Sequence, residues 1–166
     1  MLSIQIQDVK EFMNHLLRSD LFHPFYLWEA SVKTSVHYHI DGRLNHDFFN
    51  TDELEALPQS DYISWAEINP QIFSMIKGNK TPLSMKIILM LSKANTNNLL
   101  TKYNLPLSEE NINGLFFNIH YDGKNLSCTT GVSYRTFTMD KRLESVFEES
   151  MLTWLRHYKI AFTKNE

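Results

Sequence analysis

The sequence contains little of the residue types that mark disulfide-rich, fibrous and membrane-spanning proteins. Its single cysteine, Cys128, can form neither an internal disulfide nor a thiolate metal cluster. Five glycines and five prolines in 166 residues exclude a collagen-like or low-complexity chain. No apolar run approaches the roughly 20 residues that cross a bilayer, and the N-terminus lacks the basic start and apolar core of a secretory signal. We therefore expect a cytoplasmic protein that does not associate with membranes.

Motifs for nucleophilic or dinucleotide chemistry are also missing. The sequence contains no Gly-x-Ser-x-Gly and no Gly-x-Gly-x-x-Gly pattern. The stretch from Gly78 to Thr81 resembles the end of a phosphate-binding loop, but the glycine that should precede it is missing and a predicted helix comes before it. Cys128 falls on the apolar side of its predicted hairpin, which favours a small core residue over a nucleophile. We expect no cofactor, and the missing motifs favour a non-catalytic role over an enzyme.

The charged residues are segregated along the chain. The net charge is −3, yet residues 41–67 hold seven acids and one base, whereas residues 77–103 hold five lysines and no acid. Such runs are typical of solvated surfaces; the alternative is a basic patch that binds an anion or an acidic partner. The five lysines are spread over several predicted elements, so we expect duplex DNA to bind only weakly and in a salt-sensitive way.

The most apolar stretch, residues 84–92, predicts a central strand covered on both faces, because its odd and even positions are both apolar. The other strands alternate, and apolar stripes with capping residues predict helices. Helices are predicted near residues 8–18, 70–77, 95–103 and 141–159. The first begins after Asp8 and the second at Asn69 and Pro70. No repeat or linker divides the chain, which indicates one α+β domain over residues 1–166 with a largely antiparallel sheet.

Two hairpins are predicted. Residues 26–40 alternate as one long strand, and Asp41 and Gly42 predict the turn into a return strand over residues 43–49. A three-residue loop is preferred there over a two-residue loop, because only the longer loop buries the apolar residues of the return strand. Residues 112–138 form the second hairpin, whose apolar face is the same for a two-residue or a four-residue loop. Residues 50–61 predict a loop with one turn of helix, and residues 62–65 a short strand.

Histidines of the first hairpin suggest a metal site. His37 and His39 are two residues apart on one strand, so their imidazoles point the same way. A two-residue loop would place His46 opposite His37, and three histidines would suit zinc. The preferred loop places Asp47 there instead. Both sets are candidates for a metal-dependent hydrolase in which the metal activates a water.

Three stretches together resemble a domain-of-unknown-function family of small uncharacterised proteins from Firmicutes bacteria. They are residues 4–13, residues 37–42 and, most of all, residues 76–89. The resemblance covers the whole chain and implies no activity, substrate or site residue. The predicted order of elements is also similar to that of sliding DNA clamp subunits, which implies a shared topology and, as one alternative, a clamp-like DNA-associated protein.

These patterns together favour a non-catalytic cytoplasmic scaffold or protein-interaction domain. Its partner would be another protein or a second copy of the chain, since the sequence is rich in aromatic residues and its charges are segregated. The metal-dependent hydrolase and the clamp-like protein are the two alternatives. The three hypotheses differ in whether metal, DNA or a protein segment is bound.

Overall fold

Strands and helices follow one another along the chain, and the computed structural model describes residues 1–57, 60–78 and 80–166. The strands are β1 (Ser3–Ile6), β2 (Phe25–Lys33), β3 (His37–Asp41), β4 (Ser84–Leu91), β5 (Ile112–Tyr121), β6 (Leu126–Tyr134) and β7 (Phe162–Lys164). The helices are α1 (Val9–Arg18), α2 (Thr51–Ala56), α3 (Trp65–Ile76), α4 (Lys93–Lys102) and α5 (Arg142–His157), with short 3-10 helices at His46–Phe48 and Glu109–Asn111. The predicted α+β class is confirmed.

The strands form one antiparallel sheet in the order β3-β2-β4-β5-β6-β1-β7. The first strand lies between β6 and β7, so the two ends of the chain are neighbours in the sheet. Within the described residues, no helix is both long and apolar enough to cross a membrane. Two predicted features, the loop over residues 50–61 and the stretch from Gly78 to Thr81, include positions outside the described residues.

One face of the sheet and the stripes of the helices make a single core. The buried strand residues include Ile4, Leu27, Ile87, Leu89, Leu115, Phe117, Ile119 and Cys128. Helix α1 starts as predicted, because the Asp8 carboxylate accepts a hydrogen bond from the backbone N–H of Glu11 at 3.0 Å. The indole N–H of Trp65 donates to the Leu16 carbonyl oxygen at 2.9 Å and links α3 to the last turn of α1.

The predicted central strand is confirmed as β4, an interior strand between β2 and β5. Met85, Ile87 and Leu89 are buried on the core face. The expectation of complete cover on both faces is wrong: on the opposite face Lys86 is exposed and Ile88 is half-buried. Met90 on the same face is buried, and Trp28 and Phe116 of the neighbouring strands shield this face in part. Apolar residues on both faces of β4 therefore do not require a second complete layer.

The first hairpin differs from the prediction. The 26–40 stretch folds back on itself, with the backbone N–H of Thr34 donating to the Val36 carbonyl at 2.8 Å, and β2 pairs with β3. Residues 43–49 are not a return strand: Arg43 makes one β-bridge with Tyr62, and a 3-10 helix follows. Two features explain why the alternating pattern over residues 26–40 predicted one long strand instead of two. The turn has no glycine or proline, and a bulge at Trp28 exchanges the faces of β2.

Gly42 permits a close backbone approach at this point. A Cβ on Gly42 would lie 1.9 Å from the Leu27 carbonyl oxygen. The carbonyl of Gly42 accepts from the N–H of Ile63 at 2.9 Å, and Leu27 N–H donates to the Ile63 carbonyl at 2.9 Å. Residues 62–64 therefore join the sheet edge through isolated bridges, where a short strand was predicted.

Helix α3 starts five residues earlier than the predicted Asn69–Pro70 boundary. Ser64 is its N-cap and accepts from the backbone N–H of Glu67 at 3.3 Å. Pro70 lies inside the helix, where its missing N–H costs one hydrogen bond of the first two turns. The earlier start gives the helix a buried first turn through Trp65.

The second hairpin and the remaining helices follow the prediction. Strands β5 and β6 are joined by a four-residue loop in which Asp122 N–H donates to the Asn125 carbonyl at 3.1 Å, and Ile119 pairs with Cys128. Helices α4 and α5 lie within two residues of their expected bounds.

Candidate binding cleft

A cleft of about 560 Å³ opens between α1, the second half of α3 and the segment that leads into β4. Its floor is apolar and comprises Val9, Met13, Leu17, Phe73, Ile76, Pro82, Met85 and Tyr121. Helix α1 can line it because its apolar stripe is wide. Phe12 and Leu16 are buried in the core, whereas Val9 and Met13 remain half-buried at the edge of the stripe. The cleft therefore exposes apolar surface that the core does not use.

Four cationic side chains surround this floor: Lys10, Arg18, Lys77 and Lys80. No aspartate or glutamate is among the described lining residues. The Arg18 guanidinium lies 5.3 Å from the centre of the Phe73 ring, so this cation also covers one end of the apolar floor. Within the described residues, none of the four cations forms a salt bridge. The mouth of the cleft therefore has an uncompensated positive charge.

The apolar floor and the cations beside it are chemically complementary to an apolar group that carries negative charge. The volume of the cleft lies in the range of ligand-binding pockets, roughly 300–1,000 Å³. Among its described lining residues the uncharged polar side chains are Asn14, Thr81 and Tyr121, and the Tyr121 hydroxyl already donates to the Gly123 carbonyl at 2.8 Å. Its described lining contains no histidine, cysteine or carboxylate that could act as a general base or nucleophile.

The predicted metal ligands lie elsewhere. His37 and His39 are exposed on β3, and His37 Nε2 lies 2.6 Å from the Ser31 hydroxyl of β2. His46 and Asp47 belong to the 3-10 helix after β3, so the cross-strand pairing that would set either of them opposite His37 does not form. Residues 1–57, 60–78 and 80–166 contain no group of three or more His, Cys, Asp or Glu side chains placed to hold one metal ion. The metal site stays a prediction, which elemental analysis tests.

A second, more polar trough of about 600 Å³ lies on the half-exposed face of the sheet. Trp28 stacks on Tyr62 with ring centres 4.7 Å apart, and its edge meets Phe116 at 5.0 Å. Arg43 donates to the Tyr62 hydroxyl at 3.2 Å, and this bond raises the pKa of Arg43. The aromatic faces and Arg43 are thus largely engaged with one another.

The five lysines of the basic stretch separate in space. Lys77 and Lys80 border the cleft. Lys86 is exposed on the half-exposed sheet face, Lys93 borders the second trough, and the Lys102 ammonium lies 5.4 Å from the Tyr103 ring centre. The sequence indicated the basic stretch over residues 77–103 but did not indicate the cleft. The available signals were the wide stripe of α1 and the lysine pair that follows α3.

The described residues form an α+β protein with one antiparallel sheet and an apolar cleft bordered by cations. Residues 15–163 match the family described as "Family of unknown function (DUF5721)", and the chain belongs to that family. No curated protein and no solved structure gives a significant match. The predicted membership of a domain-of-unknown-function family is confirmed, whereas the Firmicutes origin and the similarity to clamp subunits stay predictions.

Proposed function

We propose that the protein is a cytoplasmic, non-catalytic protein-interaction domain whose cleft binds an apolar and acidic segment of another protein. The observation that carries this proposal is the combination of an apolar floor with four cations and no acid in the described lining. Apolar anchors of the segment would fill the floor, and flanking carboxylates would pair with the cations.

A peptide segment fits this cleft better than a small free anion. Small-molecule sites orient their ligands through a few polar groups set inside the pocket. Here the floor is mostly apolar, the Tyr121 hydroxyl donates to the Gly123 carbonyl, and Asn14 and Thr81 are the other uncharged polar side chains of the described lining. The four cations are exposed, and they lie on α1, at the C-cap of α3 and on the segment before β4. This arrangement suits a helix that lies in the groove between α1 and α3.

The direct test uses two fluorescent helical peptides that share the same leucine and phenylalanine anchors. One carries glutamates beside the anchors and the other carries lysines. In fluorescence anisotropy we expect the acidic peptide to bind at least about tenfold more tightly, which corresponds to about 1.4 kcal/mol. The preference should weaken as salt increases, because the cations of the cleft are exposed.

Variants locate the binding site. The Lys77→Glu/Lys80→Glu protein should lose the preference for the acidic peptide, and Met13→Asp should weaken both peptides by placing a charge on the floor. The matched control is Lys86→Glu/Lys124→Glu, which reverses two exposed lysines outside the cleft lining. Equal binding of both peptides, or an equal effect of the control variant, would contradict the proposal.

A further inference from the structure

Residues 46–57 form an exposed segment that we term the acidic arm. It begins with the 3-10 helix His46–Phe48 and ends just after α2. Neither helix contains a buried residue. Phe48 is 82% exposed and Leu54 is 39% exposed. The arm therefore presents apolar side chains that the core of its own chain does not cover.

The arm has a defined conformation in spite of this exposure. Asn50 and Glu53 make a reciprocal capping box: Glu53 N–H donates to Asn50 Oδ1 at 2.8 Å, and Asn50 N–H donates to Glu53 Oε2 at 3.2 Å. At its base, Leu44 N–H donates to the Asp61 carbonyl at 2.8 Å. A helix of six residues is far shorter than the roughly 12–15 residues at which isolated helices become marginally stable. Burial against another surface would supply the stability that the helix lacks.

The arm and the cleft are complementary in charge and in polarity. The arm contains four acids, Asp47, Asp52, Glu53 and Glu55, and no lysine or arginine. The cleft contains four cations and no acid among its described lining residues. The apolar residues of the arm, Phe48, Phe49, Leu54 and Leu57, match the apolar floor. The arm holds four of the seven acids of residues 41–67, and the cleft combines two lysines of the basic stretch with Lys10 and Arg18 of α1.

We propose that the acidic arm of one copy docks in the cleft of a second copy of this chain. The proposal rests on the proposed function, because it names the acidic segment that the cleft binds. If the exchange is reciprocal, residue pairs occur twice and the assembly closes as a two-fold dimer, the commonest symmetry of homo-oligomers. Two arm-to-cleft contacts would share the roughly 1,200–2,000 Å² of total surface that a standard interface buries.

The test is a charge exchange in the full-length chain, followed by size-exclusion chromatography with light scattering. The wild type should be a dimer. The cleft variant Lys77→Glu/Lys80→Glu and the arm variant Asp47→Lys/Glu55→Lys should each be monomeric at concentrations where the wild type is dimeric. An equimolar mixture should recover the dimer. In one contact the unchanged acidic arm of the cleft variant meets the unchanged basic cleft of the arm variant, and in the other the two introduced lysines meet the two introduced glutamates.

Two further variants control for changes in folding. Phe48→Ser removes an exposed apolar anchor without altering charge and should weaken the dimer at least about tenfold. Lys86→Glu/Lys124→Glu should remain as dimeric as the wild type. Circular dichroism and thermal melting of every variant must match the wild type at a dilution where the wild type is monomeric, because dimerisation itself raises the melting temperature. A dimer that both charge variants retain, or a mixture that stays monomeric, would overturn the proposal.

The outcomes separate this inference from the proposed function. A wild-type chain that is monomeric at all concentrations, yet binds the acidic peptide in its cleft, overturns self-association and leaves the interaction domain in place. Failure of the acidic peptide to bind, together with a monomeric chain, overturns both. A series of oligomers that lengthens with concentration supports the docking in its open, head-to-tail form.

Discussion

Leu89 lies in β4 between Leu27 of β2 and Phe117 of β5, and its side chain is fully buried. Truncation to alanine removes apolar contacts and leaves a cavity, so Leu89→Ala should lower the free energy of unfolding by about 2–5 kcal/mol. Urea denaturation followed by circular dichroism measures the loss. Leu83, 63% exposed just before the strand, is the matched control. Leu83→Ala should change stability by no more than about 0.5 kcal/mol, and similar losses for both would contradict the assignment of β4 to the core.

Cys128 illustrates how burial controls the reactivity of a residue. The thiol faces the core from β6, and burial raises its pKa well above the ordinary value. Because the thiolate is the reactive form, a thiol-specific disulfide reagent should modify the folded protein at least about 100-fold more slowly than the protein in urea. The variant Cys128→Ser lacks the thiol and measures the background reaction of the reagent. Rapid modification of the folded protein would show that this face of β6 opens readily to solvent.

At the scale of elements, two glycines should respond differently to substitution by alanine, Gly42 by losing stability and Gly131 by keeping or gaining it. A Cβ at Gly42 would collide with the Leu27 carbonyl oxygen, whereas a Cβ at Gly131 meets no atom within 4 Å. Gly42→Ala should cost about 3 kcal/mol or more, since backbone must move. Gly131→Ala should leave stability unchanged or raise it by about 0.4–1 kcal/mol. Thermal melting of the two variants gives the comparison, and equal melting temperatures would contradict the close approach at Gly42.

The two hairpins show how much of the fold local sequence can predict. The second hairpin was predictable because loops of two and four residues bury the same side chains. The length of the turn therefore did not need to be known. In the first, the turn at Thr34–Val36 carries no glycine or proline, whereas Asp41 and Gly42 imitate a hairpin turn. The glycine at position 42 instead serves a contact with Leu27, fifteen residues away. A contact of that kind depends on tertiary structure and leaves no local pattern.

Helix α3 shows a different kind of error. Ser64 and Glu67 have the spacing of a capping box, and that signal was present in the sequence. Asn69 and Pro70 give a competing signal, because asparagine is a good N-cap and proline favours the first position of a helix. Trp65 decides between the two starts, because its side chain is buried and its indole N–H bonds to the Leu16 carbonyl. Tertiary packing therefore selected the earlier cap.

The distribution of charge over the whole molecule leads to a prediction for DNA. The chain is acidic overall, and its basic stretch divides among the cleft, the half-exposed sheet face and α4. Phosphate contacts dominate DNA affinity and require cations on one continuous surface. Titration of a labelled duplex should show weak binding at low salt and none near physiological salt. Tight binding at the higher salt would favour the clamp-like hypothesis over the interaction domain.

The sequence predicted the charges of the candidate site but not their arrangement in space. Residues 41–67 and 77–103 could be recognised as opposite in charge from composition alone. Residues 46–57 of the first stretch form the exposed acidic arm, and only Lys77 and Lys80 of the second border the cleft. Both outcomes depend on tertiary structure, including where α1 and α3 lie against the sheet. Lys10 and Arg18, the other two cations of the cleft, lie on α1, far from that stretch in sequence.

The position of β1 between β6 and β7 has a consequence for synthesis on the ribosome. Leu2 bonds to Thr130 across a separation of 128 residues, so at roughly 5–20 residues per second the nascent β1 waits about 6–25 s for its partner strand. During that interval Ile4 and Ile6, both buried in the finished sheet, have no strand to pair with. The emerging chain then exposes an unpaired apolar strand, and the rate of translation limits how soon the sheet can close.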